Sequence, residues 1–191
     1  MQSEYVKKLE AFAKEAGGDF SHSSQPTTSL NSKGWSRVEI RIPHRGTELY
    51  YIAFSGPNSA EVHSGFYAAG NLPLKLFCRI TQRDGFADLI STFSSYKMKS
   101  GRPAFDKKLH TSCNNKTFLL KLTGNHEAAK FLENSIHRPL RFEVMSNEKG
   151  ILKHEKSGAM IISLNSNEWM VDHSALHELL RGFRILADHL C

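Results

Sequence analysis

The chain has few cysteines, no long apolar run and no block of like charge, and each absence removes a class of protein. Cys78, Cys113 and Cys191 are the three thiols among 191 residues. They are odd in number, irregularly spaced and form no CxxC pair. That excludes a disulfide framework and reads as reduced thiols in a cytosol. No stretch reaches the roughly 18–20 consecutive apolar residues of a membrane span. The N-terminal MQSEYVKKLEAFAKEAGG mixes charged with apolar residues, whereas a secretory leader needs a continuous apolar core. A cytoplasmic protein is expected. No glycines spell GxGxxG or GxxxxGK[ST], and no HExxH occurs, so no phosphate cradle or zincin helix is encoded.

What is present is an ordinary globular composition. Apolar residues make up 40% and charged residues 23% of the chain, enough for one domain that buries roughly 70% of its extended surface without staples. The net charge is +6, from 25 basic and 19 acidic residues. A surplus of this sign can serve an anionic partner such as nucleic acid or a membrane surface. Here no five like charges adjoin, and diffuse charge serves solubility equally well, which argues against nucleic acid.

Periodicity supplies most of the fold. Tyr5, Val6, Leu9, Phe12, Ala13 and Ala16 recur at helical spacing over residues 3–16, with Ser3 placed to cap the start and Gly17-Gly18 to end it. Residues 21–34, rich in Ser and Thr, read as an exposed loop. Val38, Ile40 and Ile42 alternate with Arg37, Glu39 and Arg41, then residues 43–46 turn the chain. The return, residues 48–54, is apolar on both faces, which predicts a strand that is central or covered on both sides. Residues 55–71 read as a long loop. Leu74, Leu76, Cys78 and Ile80 read as a third strand, and Phe86, Leu89, Ile90 and Phe93 as a short helix. Residues 97–102 form a basic connector, the place for a division into two halves if there is one.

Gly101 to Leu122 then reads as a short strand carrying Phe105 and Leu109 on one face, a cap at Ser112, Asn114 or Asn115, and a helix burying Phe118, Leu119 and Leu122. A second helix spans 127–136, with Ala128, Phe131, Leu132 and Ile136 at helical intervals. Residues 140–145 are a strand that turns at 147–150 and returns over 151–156, and 159–164 is a further strand. The last helix, opened by Asp172 or Ser174, carries Leu176, Leu179, Leu180, Phe183, Leu186, Ala187 and Leu190 on one stripe that must cover a sheet.

The segment from Gly101 to Leu119 resembles a family of uncharacterised bacterial domains found in small soluble proteins and beside membrane anchors. Gly101, Pro103, Phe105, Asp106, Leu109, Ser112, Asn114, Phe118 and Leu119 carry the resemblance, which covers roughly residues 75–191. It implies a fold and no activity, so it transfers no functional residue.

The candidate chemistry is sparse. His173 and His177 stand four apart on the last helix and share a face, and His189 lies farther along. A zinc site normally adds a third protein ligand, and none adjoins them, so an exposed helix face is expected. Cys113 precedes a helix N-terminus, a place that can activate a thiol, and His110 is near it in sequence, yet no supporting base or oxyanion donor can be named. Asp106 is expected in an ion pair with Arg102, Lys107 or Lys108, or in a hydrogen bond to a turn. Arg37, Arg41, Lys75, Arg79 and Arg83 are placed to line one polar sheet face, with Tyr50 or Phe77 available for base stacking, although Glu39 and Glu48 break that face.

The expectation is therefore one α+β domain over residues 1–191. It has a mostly antiparallel sheet of about six or seven strands, packed by N- and C-terminal amphipathic helices, with short helices inserted near 86–93 and 116–136. No catalytic, cofactor-binding or metal-ligating residue is assigned. The leading functional reading is a non-catalytic binding or scaffold domain that recognises a protein or small ligand through loops 21–34 and 55–72. Self-association through Trp35, Tyr51, Tyr67 and Trp169 is a variant. A hydrolase or transferase around His110, Cys113 or His173/His177, and a nucleic-acid binder using the basic sheet face, are the alternatives.

Overall fold

The computed structural model describes residues 4–25, 34–56, 62–83, 96–137 and 139–191. Among these residues, eight strands make one sheet: β1 (Asp19–Gln25), β2 (Trp35–His44), β3 (Thr47–Ser55), β4 (Val62–Ala69), β5 (Cys78–Gln82), β6 (Leu109–Cys113), β7 (Arg141–Ser146) and β8 (Met160–Ser166). Their order is β1-β2-β3-β4-β8-β7-β5-β6, and every neighbouring pair is antiparallel. Five α-helices are described: α1 (Glu4–Ala16), α2 (Pro103–Lys108), α3 (Lys116–Gly124), α4 (His126–Ser135) and α5 (His173–Leu190). None is long and apolar enough to cross a membrane. The α+β class with terminal helices on an antiparallel sheet is as the periodicity predicts, with a slightly higher strand count.

The sheet runs across the 97–102 connector, because β5 before it pairs with both β6 and β7 after it. All five helices lie on one face. Their buried residues form a single cluster with Val38, Ile40, Ile42, Tyr51, Phe66, Phe142 and Leu164. The last-helix stripe is buried as its spacing requires, from Leu176 to Leu190, except that Leu179 at its margin is half-buried. At roughly 1.5–3 kcal/mol per large side chain, it contributes on the order of 10 kcal/mol before entropy. Asp172 caps this helix by accepting a hydrogen bond from the Ala175 amide at 2.8 Å, and Asn115 and Asn125 cap α3 and α4 in the same way.

The opposite face is covered only in part. The turn segment after β7 folds back so that Leu152 and Ile151 rest on Tyr50, Ile52, Tyr67 and Ile161. β3 is thus covered on both sides, as its two apolar faces predict. Asn147 shapes the covering segment. Its Oδ1 accepts from the Leu152 amide at 3.1 Å, and its Nδ2 donates to the Leu152 carbonyl at 2.9 Å.

Several local readings are corrected. Residues 103–108 are a helix, not a strand: Pro103 sits in the first turn, where its missing N–H costs nothing, and Phe105 and Leu109 meet the core at helical spacing. The strand follows as β6. Residues 151–156 form turns rather than a strand, because Asn147 and left-handed Gly150 curl them. The strand read from Leu74 begins at Cys78. Lys75 has a φ of +64° in a turn that leaves Leu74 79% exposed. Residues 21–25 belong to the edge strand β1, and 62–69 are the central strand β4. Small residues disguise β4, yet Gly65 needs its hydrogen: a Cβ there would lie 2.6 Å from the Leu164 carbonyl oxygen. The helix read at 86–93, the Ser3 cap and the loop centre 26–33 lie outside the described residues.

Candidate functional site

The partly covered face of the sheet holds a cleft of about 720 Å³, lined by side chains from β2, β3, β4, β5, β7 and β8. Period-two alternation places them there: the residues that face away from the helices on these strands are Arg37, Phe54, His63, Tyr67, Arg79, Arg141, Glu143 and Asn165.

Glu143 is the centre of the site. Its side chain is 8% exposed. One oxygen accepts from Arg79 Nε at 2.6 Å, the other from Arg141 Nε at 3.2 Å and from Asn165 Nδ2 at 2.9 Å. Burial opposes its charge. Asn165 and the two guanidinium groups outweigh that cost and hold its pKa below the usual carboxylate value. Both arginines reach Glu143 through Nε, which leaves their terminal nitrogens without a hydrogen bond among the described residues. Arg37 is committed elsewhere, to Glu39 at 2.8 Å and to the Ile151 carbonyl at 2.7 Å. That second bond ties the covering segment to the sheet.

Two further groups complete the wall. Tyr67 is 2% exposed and lines the cleft, and its hydroxyl has no hydrogen-bond partner among the described residues. Burial and the nearby Glu143 charge raise its pKa, so it stays a neutral donor. His63 packs against Phe54 with ring centroids 5.3 Å apart. Burial, then Arg37 and Arg141, lower its pKa, which keeps the imidazole neutral at pH 7. Phe77, Val62, Met145 and Ile151 supply apolar surface. The cleft thus combines a fixed charge cluster, in which two guanidinium groups share one carboxylate, with spare donors and an apolar wall.

The polar face expected from the sequence exists in part. Arg37, Arg41 and Arg79 share it with Tyr50 and Phe77. Tyr50, however, is buried beneath His154 and Leu152 and offers no ring for stacking. Each of these arginines faces a carboxylate: Glu39, Glu48 and Glu143 respectively. Arg141, Glu143, Asn165 and His63 were missed as site residues. The alternation over 140–145 already put Arg141 and Glu143 on one face, but which strand lies beside them cannot be read from a single sequence.

The other candidates are separated or absorbed. Cys113 faces the core opposite its register partner Cys78, while His110 points to the other side of β6. The Cys78 thiol donates to Cys113, which lowers the Cys113 pKa and raises that of Cys78. Asp106 accepts from the Ser100 amide at 2.8 Å and the Gly101 amide at 3.2 Å, the turn hydrogen bond among the roles expected for it. Tyr51 and Tyr67 are buried, whereas Trp35 and Trp169 are half-buried and donate to Gln25 Oε1 and the Phe54 carbonyl. His189 meets the Lys121 carbonyl at 2.9 Å. His173 and His177 are met by Glu15 from α1, a third residue that sequence spacing does not reveal.

No family model, curated protein or solved structure matches the chain, so the chemistry of the cleft is argued from its geometry.

Proposed function

We propose that the protein is a non-catalytic binding domain whose open sheet face takes a small ligand with an anionic group beside an apolar or aromatic portion. One observation carries this reading. Glu143 fixes Arg79 and Arg141 through Nε, so among the described residues their terminal nitrogens make no hydrogen bond, and the hydroxyl of buried Tyr67 in the same cleft has no partner there either. Donors held in place and left unused are what a carboxylate or phosphate oxygen needs. Phe54, Phe77 and Met145 supply the surface for the rest of the ligand. This moves recognition from the loops to the sheet face, because much of the sequence read as loop is strand. The same reading places the protein in a bacterial cytosol. Its support there is the cysteine usage and the resemblance of residues 75–191 to bacterial domains.

Calorimetric titration with phenylacetate and phenyl phosphate tests it. One probe is expected to bind at a single site. Tyr67→Phe and Arg141→Met should each weaken binding by tenfold or more, since a hydrogen bond to a charged group contributes about 1.5–3 kcal/mol. Absence of binding by both probes, or equal binding by both variants, would overturn the proposal. Release of inorganic phosphate from phenyl phosphate would favour the hydrolase alternative. Salt-dependent binding of a random oligonucleotide would favour the basic-face alternative.

A further inference from the structure

We propose that Glu15, His173 and His177 form a zinc-binding site that clips α1 to α5. The three side chains come from positions 162 residues apart at the extremes, so the site exists only in the folded chain. His173 and His177 occupy successive turns at the start of α5, with ring centroids 4.6 Å apart. Glu15 is the penultimate residue of α1. Its Oε2 lies 2.9 Å from His173 Nε2 and 3.2 Å from His177 Nε2. All three ligand atoms lie within 4.8 Å of one another. A tetrahedral zinc ion with bonds of about 2.0–2.1 Å needs ligand atoms roughly 3.3 Å apart, so small adjustments of exposed side chains admit the ion.

The core sets this geometry. Phe12, Leu176 and Leu180 bury the facing stripes of α1 and α5 in one cluster. The His177 ring stands edge-on to Phe12 at 5.0 Å, which limits its rotation. Ligand type selects the metal: two imidazoles and one carboxylate suit zinc or a neighbouring transition ion rather than magnesium or calcium. The side chains are 38–53% exposed, so the ion has open access and water can fill the fourth position. Binding the folded chain but not the unfolded one, the ion would stabilise the attachment of α1. The site involves none of the cleft residues and stands independently of the ligand proposal.

The test uses the full chain, without a polyhistidine tag and stripped by chelator. Zinc calorimetry is expected to show one equivalent bound, with an upward shift in melting temperature. Co(II) should give the visible spectrum of a tetrahedral site. The double variant His173→Ala/His177→Ala should lose both signals, Glu15→Gln should weaken binding at least tenfold, and His189→Ala should bind as the wild type does. All three ligands are solvent-accessible, so metal-free melting curves of the variants should match that of the wild type. The proposal is overturned if the wild type binds no zinc, or if the double variant still takes up one equivalent with wild-type affinity.

Discussion

The two faces of the sheet are built on opposite principles. The helix face meets α1 to α5 through Val38, Ile40, Tyr51, Phe66, Phe142 and Leu164, in a continuous apolar layer. The open face carries Arg37, Glu39, Arg41, Arg79, Arg141 and Glu143, and a turn segment covers it in part, over Tyr50 and Ile52 of β3, Tyr67 of β4 and Ile161 of β8. Apolar burial accounts for the stability of the first. The second ties four arginines to three carboxylates, Arg79 and Arg141 sharing Glu143, and such a charge cluster is weak evidence for stability, because well-packed apolar residues of the same volume serve as well or better. The comparison teaches where to look for each property: folding energy on the helix face, and recognition on the open face, where donors stay unused.

The largest expected effect lies on the helix face. Leu180 is 2% exposed in the middle of the α5 stripe. Leu180→Asp loses about 1.5–3 kcal/mol of burial and strands a carboxylate in the core at a further several kcal/mol, so no cooperative unfolding transition should remain. A soluble Leu180→Asp variant with a normal melting curve would erase the distinction between the faces.

Glu143→Gln comes next. It removes the charged partner shared by Arg79 and Arg141. Glu143 is buried, but the two arginine side chains are 54% and 30% exposed, so water makes up part of the lost charge-assisted hydrogen bonding and the cost is about 2–3 kcal/mol. The pH dependence has a definite sign. The folded pKa of Glu143 is depressed, so its contribution is complete above the usual carboxylate range and is lost as pH falls through the depressed value. Urea midpoints measured from neutral to acid pH should therefore fall less steeply for Glu143→Gln than for wild type. Parallel curves would show that Glu143 is no more favoured as a carboxylate than it is in the unfolded chain.

How much of this was legible in the sequence follows from the range of each interaction. The α5 stripe, the β2–β3 hairpin and the two-sided burial of β3 are local patterns, and all three hold. The hairpin turn even declares its geometry: Arg45 and Gly46 both take positive φ, 45° and 82°, as a two-residue turn between right-twisted strands requires. β4 was hidden because Ser64, Gly65, Ala68 and Ala69 look like loop composition, and only its β3 and β8 neighbours explain them. The 103–109 segment misled because Phe105 and Leu109 fit two periodicities. Neither site was legible as a whole. Glu143 meets Arg79 across 64 residues, and Glu15 meets His173 across 158, distances that only strand order and helix packing close.

The smallest effect sharpens the comparison most. Leu152 is 1% exposed, yet it belongs to the small cluster on the open face rather than to the helix-side core. Leu→Ala changes in cores cost about 2–5 kcal/mol, and the cost falls with the ability of the site to collapse. Leu152 lies on an irregular segment held by Asn147 and by the Arg37 bond to the Ile151 carbonyl, so it can settle onto Tyr50 and Ile161 more readily than a helix residue can. Leu152→Ala should cost about 2 kcal/mol, at the lower end of that range. Amide exchange should rise first in residues 147–158, while α5 keeps its protection. If α5 loses protection in step, the two apolar clusters act as one cooperative core, and the open face contributes to folding as fully as the covered one.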